Sequence, residues 1–121
     1  MPVEITNALR SRSVIRVTGS GATTVELANL SVNANEVVSN AAICHIMSST
    51  TSDGAWTIKR GGSSGTVIAV LYGSNDLPLS QYDIALANSS GSDIYVSNSG
   101  ADGTLILSVT KTATYTTPLQ F

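Results

Sequence analysis

The chain is poor in the residues that usually do chemistry. It has one cysteine and one histidine. That excludes an intramolecular disulfide and a cysteine-cluster zinc site, and leaves too few ligands for a histidine-based metal centre. Charged residues make up 12% of the 121 positions and the net charge is −2. A nucleic-acid binder needs a dense basic footprint, so that class is set aside. No apolar run approaches the roughly 20 residues that a membrane helix requires. The start, Met1-Pro2-Val3-Glu4-Ile5, lacks a basic region followed by an apolar stretch, so no secretion signal is expected. Aromatic residues are few: one Trp, four Tyr and one Phe.

What is present is small, polar and β-branched. There are 18 Ser, 14 Thr, 8 Asn and 10 Gly, with Val and Ile also abundant. Glu, Lys, Gln and Arg, which favour helix surfaces, are scarce. β-branched side chains are stiff at χ1 and pack well on a pleated surface, and Gly, Ser and Asn supply turn chemistry. The composition predicts one all-β domain with a core of small and aliphatic side chains.

Periodicity places the strands. Ser13–Thr18 is the first, followed by a turn at Gly19-Ser20-Gly21 and a second run over Thr23–Leu30. Residues 31–40 are polar, with a helical turn possible at Asn35–Val38. Ala41–Ser48 is nearly continuous in apolar residues, as in a central strand. Ala55–Arg60 sets Trp56 and Ile58 on one face, and Gly61–Gly65 is a hairpin loop before Thr66–Tyr72. Residues 73–81 read as a turn around Gly73, Asn75 and Pro78. Tyr82–Asn88 and Asp93–Asn98 alternate. Thr104–Lys111 does so most cleanly, with Leu105, Leu107 and Val109 on one side. Eight short strands joined by polar turns predict a single antiparallel β-sandwich, jelly-roll-like, over residues 13–111. Residues 1–12 and 112–121 are expected to be extended N- and C-terminal arms.

Catalytic constellations are thin. Cys44 and His45 are adjacent, and neighbours on a strand point to opposite faces, so no thiolate–imidazole pair is expected and no orienting carboxylate is evident. Most aspartates sit in turns, where they accept local backbone bonds. The loop Asn98–Gly103 offers oxygens but lacks the alternating acids of a calcium loop. Gly19-Ser20-Gly21 leads into a strand, whereas a phosphate cradle needs a helix N-terminus. No catalytic residue, metal site or cofactor is assigned, and the chain is expected not to be an enzyme.

The most informative charges are Arg10, Arg12 and Arg16, half of the six basic residues. Their even spacing puts them on one side of an extended segment. They read either as a solvated, edge-protecting face or as a clamp on an acidic partner, since Arg suits bidentate carboxylate contacts. In the tail, Tyr115, Leu119 and Phe121 are apolar groups near a terminus and need a dock on this subunit or another.

Three stretches carry a resemblance: Glu4–Gly21, Trp56-Thr-Ile-Lys-Arg-Gly-Gly62 and Leu105–Tyr115. Together they resemble small virion structural proteins of tailed bacteriophages, marine ones in particular. The resemblance implies a non-enzymatic virion component, with a capsid decoration or cement protein as the leading expectation. Such a protein is made in the host cytoplasm and resides on the capsid surface. Its partners would be the major capsid protein and copies of itself, as a homotrimer, with no nucleic acid and no membrane. On this view Arg10, Arg12 and Arg16 face the shell, and Tyr115, Leu119 and Phe121 dock on a neighbouring copy. The alternatives are a carbohydrate- or receptor-binding module, in which Trp56 and the tyrosines would stack on a sugar, and an adaptor of the neck, tail or fibre.

Overall fold

A computed structural model describes residues 2–6, 12–31, 36–51, 53–78 and 91–115. They form nine strands: β1 (Val3–Thr6), β2 (Arg12–Thr18), β3 (Gly21–Val25), β4 (Glu36–Thr50), β5 (Ala55–Arg60), β6 (Thr66–Tyr72), β7 (Asn75–Pro78), β8 (Ile94–Asn98) and β9 (Gly103–Tyr115). One 3-10 turn spans Leu27–Leu30. Among the described residues, no helix is long and apolar enough to cross a membrane.

The pairing is a nested hairpin. β5 pairs with β6, β4 with β7, β3 with β8 and β2 with β9, all antiparallel. The innermost turn is Gly61–Gly65, where Gly61 (φ 99°) and Gly62 (φ 91°) take the left-handed conformation that side chains resist. This long hairpin folds over on itself, and the added pairs β4–β9 and β5–β8 close two sheets. Their orders are β1-β2-β9-β4-β7 and β3-β8-β5-β6. This is jelly-roll connectivity with β1 appended at one edge, so the all-β sandwich expected from composition and alternation is the observed fold.

Alternation explains the core. Ile5, Ile15, Leu107, Ile46 and Leu77 form one inward row across all five strands of the larger sheet. Opposite them stand Trp56, Ile58, Ile94 and Val96, all fully buried. Polar pins also cross the sandwich. The Trp56 indole N–H donates to the Ser49 carbonyl at 2.8 Å. Arg60 donates through Nη1 to the Ala41 carbonyl and through Nη2 to that of Ser92, both at 2.7 Å. Burial lowers the Arg60 pKa, and the charge of Asp93 opposes that shift. Among the described residues, every buried side-chain nitrogen and oxygen has a hydrogen-bond partner.

Several boundaries differ from expectation. The second run ends as a strand at Val25 and turns at Leu27–Leu30, which buries both Leu27 and Leu30. Asn35–Val38 holds no helical turn among its described residues, because β4 already starts at Glu36. The expected turn at 73–81 contains strand β7. Residues 3–6 of the expected arm pair with β2 as an edge strand, and β9 carries residues 112–115 of the expected tail in the sheet. The Tyr82–Asn88 strand lies outside the described residues.

Candidate functional site: the outer face of the five-stranded sheet

Strand parity puts Arg12, Val14 and Arg16 on the outer face of β2, all exposed, while Ser13, Ile15 and Val17 point inward. The cross-strand register carries that face over the whole sheet. One row runs Glu4, Arg16, Ile106, Met47 and Asp76. The next runs Thr6, Val14, Ser108, His45 and Pro78. Apolar Ile106 and Met47 fill the middle of the first row, and Val14 enters the second beside polar Ser108 and His45, with Val14 38% and Met47 40% exposed. Beside Met47 and Ile106 lies a shallow cleft of about 200 Å³, bounded by Asn75 and Asp76.

Charges sit at the rim. Arg16 Nη1 is 3.7 Å from Glu4 Oε2. Exposed pairs of this kind contribute little, and a guanidinium has five N–H donors, so Arg16 keeps capacity for a partner's carboxylate. On the far side, His45 Nε2 meets Asp76 Oδ1 at 2.5 Å. A face that mixes apolar, polar and charged side chains in this way matches the composition of a non-obligate protein interface.

The arginine prediction divides. Arg12 and Arg16 are together on this face, and Arg10 lies outside the described residues. Tyr115 ends β9, paired with Glu36 in the sheet. Leu119 and Phe121 lie outside the described residues. Val14 and Met47 escaped the sequence reading, although the parity that placed the arginines also places Val14 between them; the alternation of β9 already sets Ile106 opposite Leu105 and Leu107. Asp76 escaped as well: it stands 31 positions from His45, and only the β4–β7 pairing joins them.

Other candidates are spent on structure. A register shift between Ile43 and His45 makes Cys44 the extra residue of a bulge. Its thiol donates to the Ser108 carbonyl at 3.2 Å, while His45 turns to Asp76, so the two do not pair. In the Asn98–Gly103 loop, Asn98 Oδ1 accepts from Thr50 Oγ1 and the Gly100 N–H, each at 2.9 Å. Asp102 Oδ1 accepts the Gly103 N–H at 2.8 Å, so turn chemistry accounts for this loop. Among the described residues, no group of three or more His, Cys, Asp or Glu is placed to hold a metal ion. Comparisons with protein families, curated proteins and solved structures return no match for this chain.

Proposed function

We propose that this chain is a non-enzymatic virion structural protein that decorates a capsid shell and stabilises it by adhesion. The observation that carries this reading is the outer face of the five-stranded sheet. Arg12 and Arg16 flank exposed Val14, and the register leads from them to Ile106 and Met47. Such a face suits a broad, slightly acidic partner surface: the arginines take carboxylates in bidentate fashion, and Val14, Ile106 and Met47 supply apolar contact beside them. The jelly roll is an architecture found in capsid and lectin domains, and the sequence resemblance to small phage virion proteins points the same way. The mechanism is mass action: each bound copy stabilises the assembled state over the dissociated one.

The test is co-sedimentation of the purified chain with shells that lack it. Arg12→Glu with Arg16→Glu should abolish binding while leaving the fold intact by circular dichroism. Wild-type binding should weaken as salt rises. Binding of the double variant as tight as wild type would remove this face from the interaction. Hundreds of copies per particle would fit a shell protein, and six or twelve would redirect the reading to a neck or tail ring.

A further inference from the structure

The two sheets treat their edges differently. Among the described residues, the five-stranded sheet ends in β1 and β7, each four residues long. β1 carries Glu4 and is preceded by Pro2, while β7 carries Asp76 and ends at Pro78. Shortness, charge and proline are the devices that keep an edge from pairing with another chain. Among the described residues, the four-stranded sheet ends in β3 and β6. Neither Gly21–Val25 nor Thr66–Tyr72 contains a charge or a proline. β6 exposes Val67 at 52%, Val70 at 46% and Tyr72 at 71%. It has one irregularity, a register shift against β5 between Ile58 and Lys59.

We infer that the β6 edge is covered by the β3 edge of a second copy of this chain, so that the four-stranded sheet continues from subunit to subunit. Three relations select this occupant. First, direction: β3, β8, β5 and β6 alternate in sense, so β6 and β3 are antiparallel within one sheet. A neighbour whose sheet simply continues this one presents its β3 antiparallel to β6. Second, parity: Ala22 and Thr24 are the exposed, outward residues of β3. Matching outward to outward allows a register with the neighbour's Ala22 beside Tyr72 and its Thr24 beside Val70, small side chains against large ones. Third, charge: Glu26, exposed and next after β3, then falls past the bulge beside Val67. Val67 is the register partner of Lys59 on the same outer face, and the Lys59 ammonium donates to the Ser63 carbonyl beside the Tyr95 ring, so a carboxylate of one copy comes within two strands of an ammonium of the next.

The contact is head-to-tail. A heterologous interface closes into a ring when its rotation permits and otherwise extends. It uses the sheet opposite the arginine face, so it stands or falls apart from the shell reading.

The test is sedimentation of the full chain across its soluble concentration range. Wild type should assemble. Val70→Lys spoils one edge and Ala22→Lys the other, so each variant alone should be monomeric. Mixed, they should form a two-chain species, because each retains the edge its partner needs. A monomeric wild type, or assembly by Ala22→Lys alone, would overturn the inference. Should either lysine variant misfold, charge reversal reads the same contact. Lys59→Glu and Glu26→Lys should each raise the assembly concentration about two- to fivefold, and together restore it; no change from either would likewise overturn the proposal.

Discussion

Lys111 Nζ and Glu36 Oε1 lie 3.3 Å apart, with both side chains wholly out of solvent. The ammonium also donates to the Leu30 carbonyl at 2.6 Å, which the Ser13 hydroxyl approaches at 3.4 Å. One cation thus gathers the end of the 3-10 turn, the start of β4 and the distal half of β9. A buried pair is costly to desolvate, and removing one partner is costlier still because the other charge stays behind. Lys111→Met should therefore destabilise the fold by about 3–5 kcal/mol. Adding Glu36→Leu should recover a large part of that loss. Urea unfolding with unchanged slope checks both, and a near-neutral Lys111→Met would deny the pair its structural role.

Arg60 does comparable work between the sheets. Its fork holds the Ala41 carbonyl on β4 and the Ser92 carbonyl ahead of β8. Lysine keeps the charge but not the planar fork. Arg60→Lys should cost about 1–3 kcal/mol, the order expected for a buried hydrogen bond left unmade. Differential scanning calorimetry would read this as a lower melting temperature, with Lys59→Arg, on the outer face of the same strand, as the control near zero.

Both residues were within reach of the sequence, and their partners were not. The alternation Leu105, Leu107, Val109 continues onto Lys111, and Trp56, Ile58 continues onto Arg60, so parity alone directs two cations into the core. Nothing local names Glu36, Ala41 or Ser92, which arrive from other strands. The same limit explains the missed elements. Glu36 opens β4 although Glu is a poor strand former, because Lys111 receives it. Asn75-Asp76-Leu77-Pro78 has turn chemistry throughout, yet it lies along β4 as an edge strand, the one place in a sheet where proline is tolerated. At Leu27–Leu30 the strand pattern of Val25 and Leu27 gives way to a three-residue spacing that also buries Leu30. The antiparallel sandwich was legible because period 2 dominates the chain. Which face would serve as the candidate site was legible only at Arg12 and Arg16.

The first strand tests the boundary between arm and domain. Val3 and Ile5 pack against the core, and β1 covers the outer edge of β2. Deleting residues 2–6 should cost roughly 1–3 kcal/mol through lost apolar burial. It should also bare the seven-residue edge of β2 for pairing with other chains. Denaturant unfolding should report the first effect and light scattering the second. A truncated chain as stable and as well dispersed as wild type would make residues 2–6 a true arm.

Trp56 separates adhesion to protein from recognition of sugar. Its side chain is 0% exposed, and its indole N–H is held by the Ser49 carbonyl, so the ring has no face to offer a saccharide. Its emission should be blue-shifted, resistant to iodide quenching and unchanged by any glycan. Trp56→Ala should cost about 3–5 kcal/mol as a cavity-forming core substitution and so act on stability alone. Saccharide-dependent quenching in the folded protein would place a binding surface where the sandwich now has its interior, and the carbohydrate reading would then take precedence over the decoration reading.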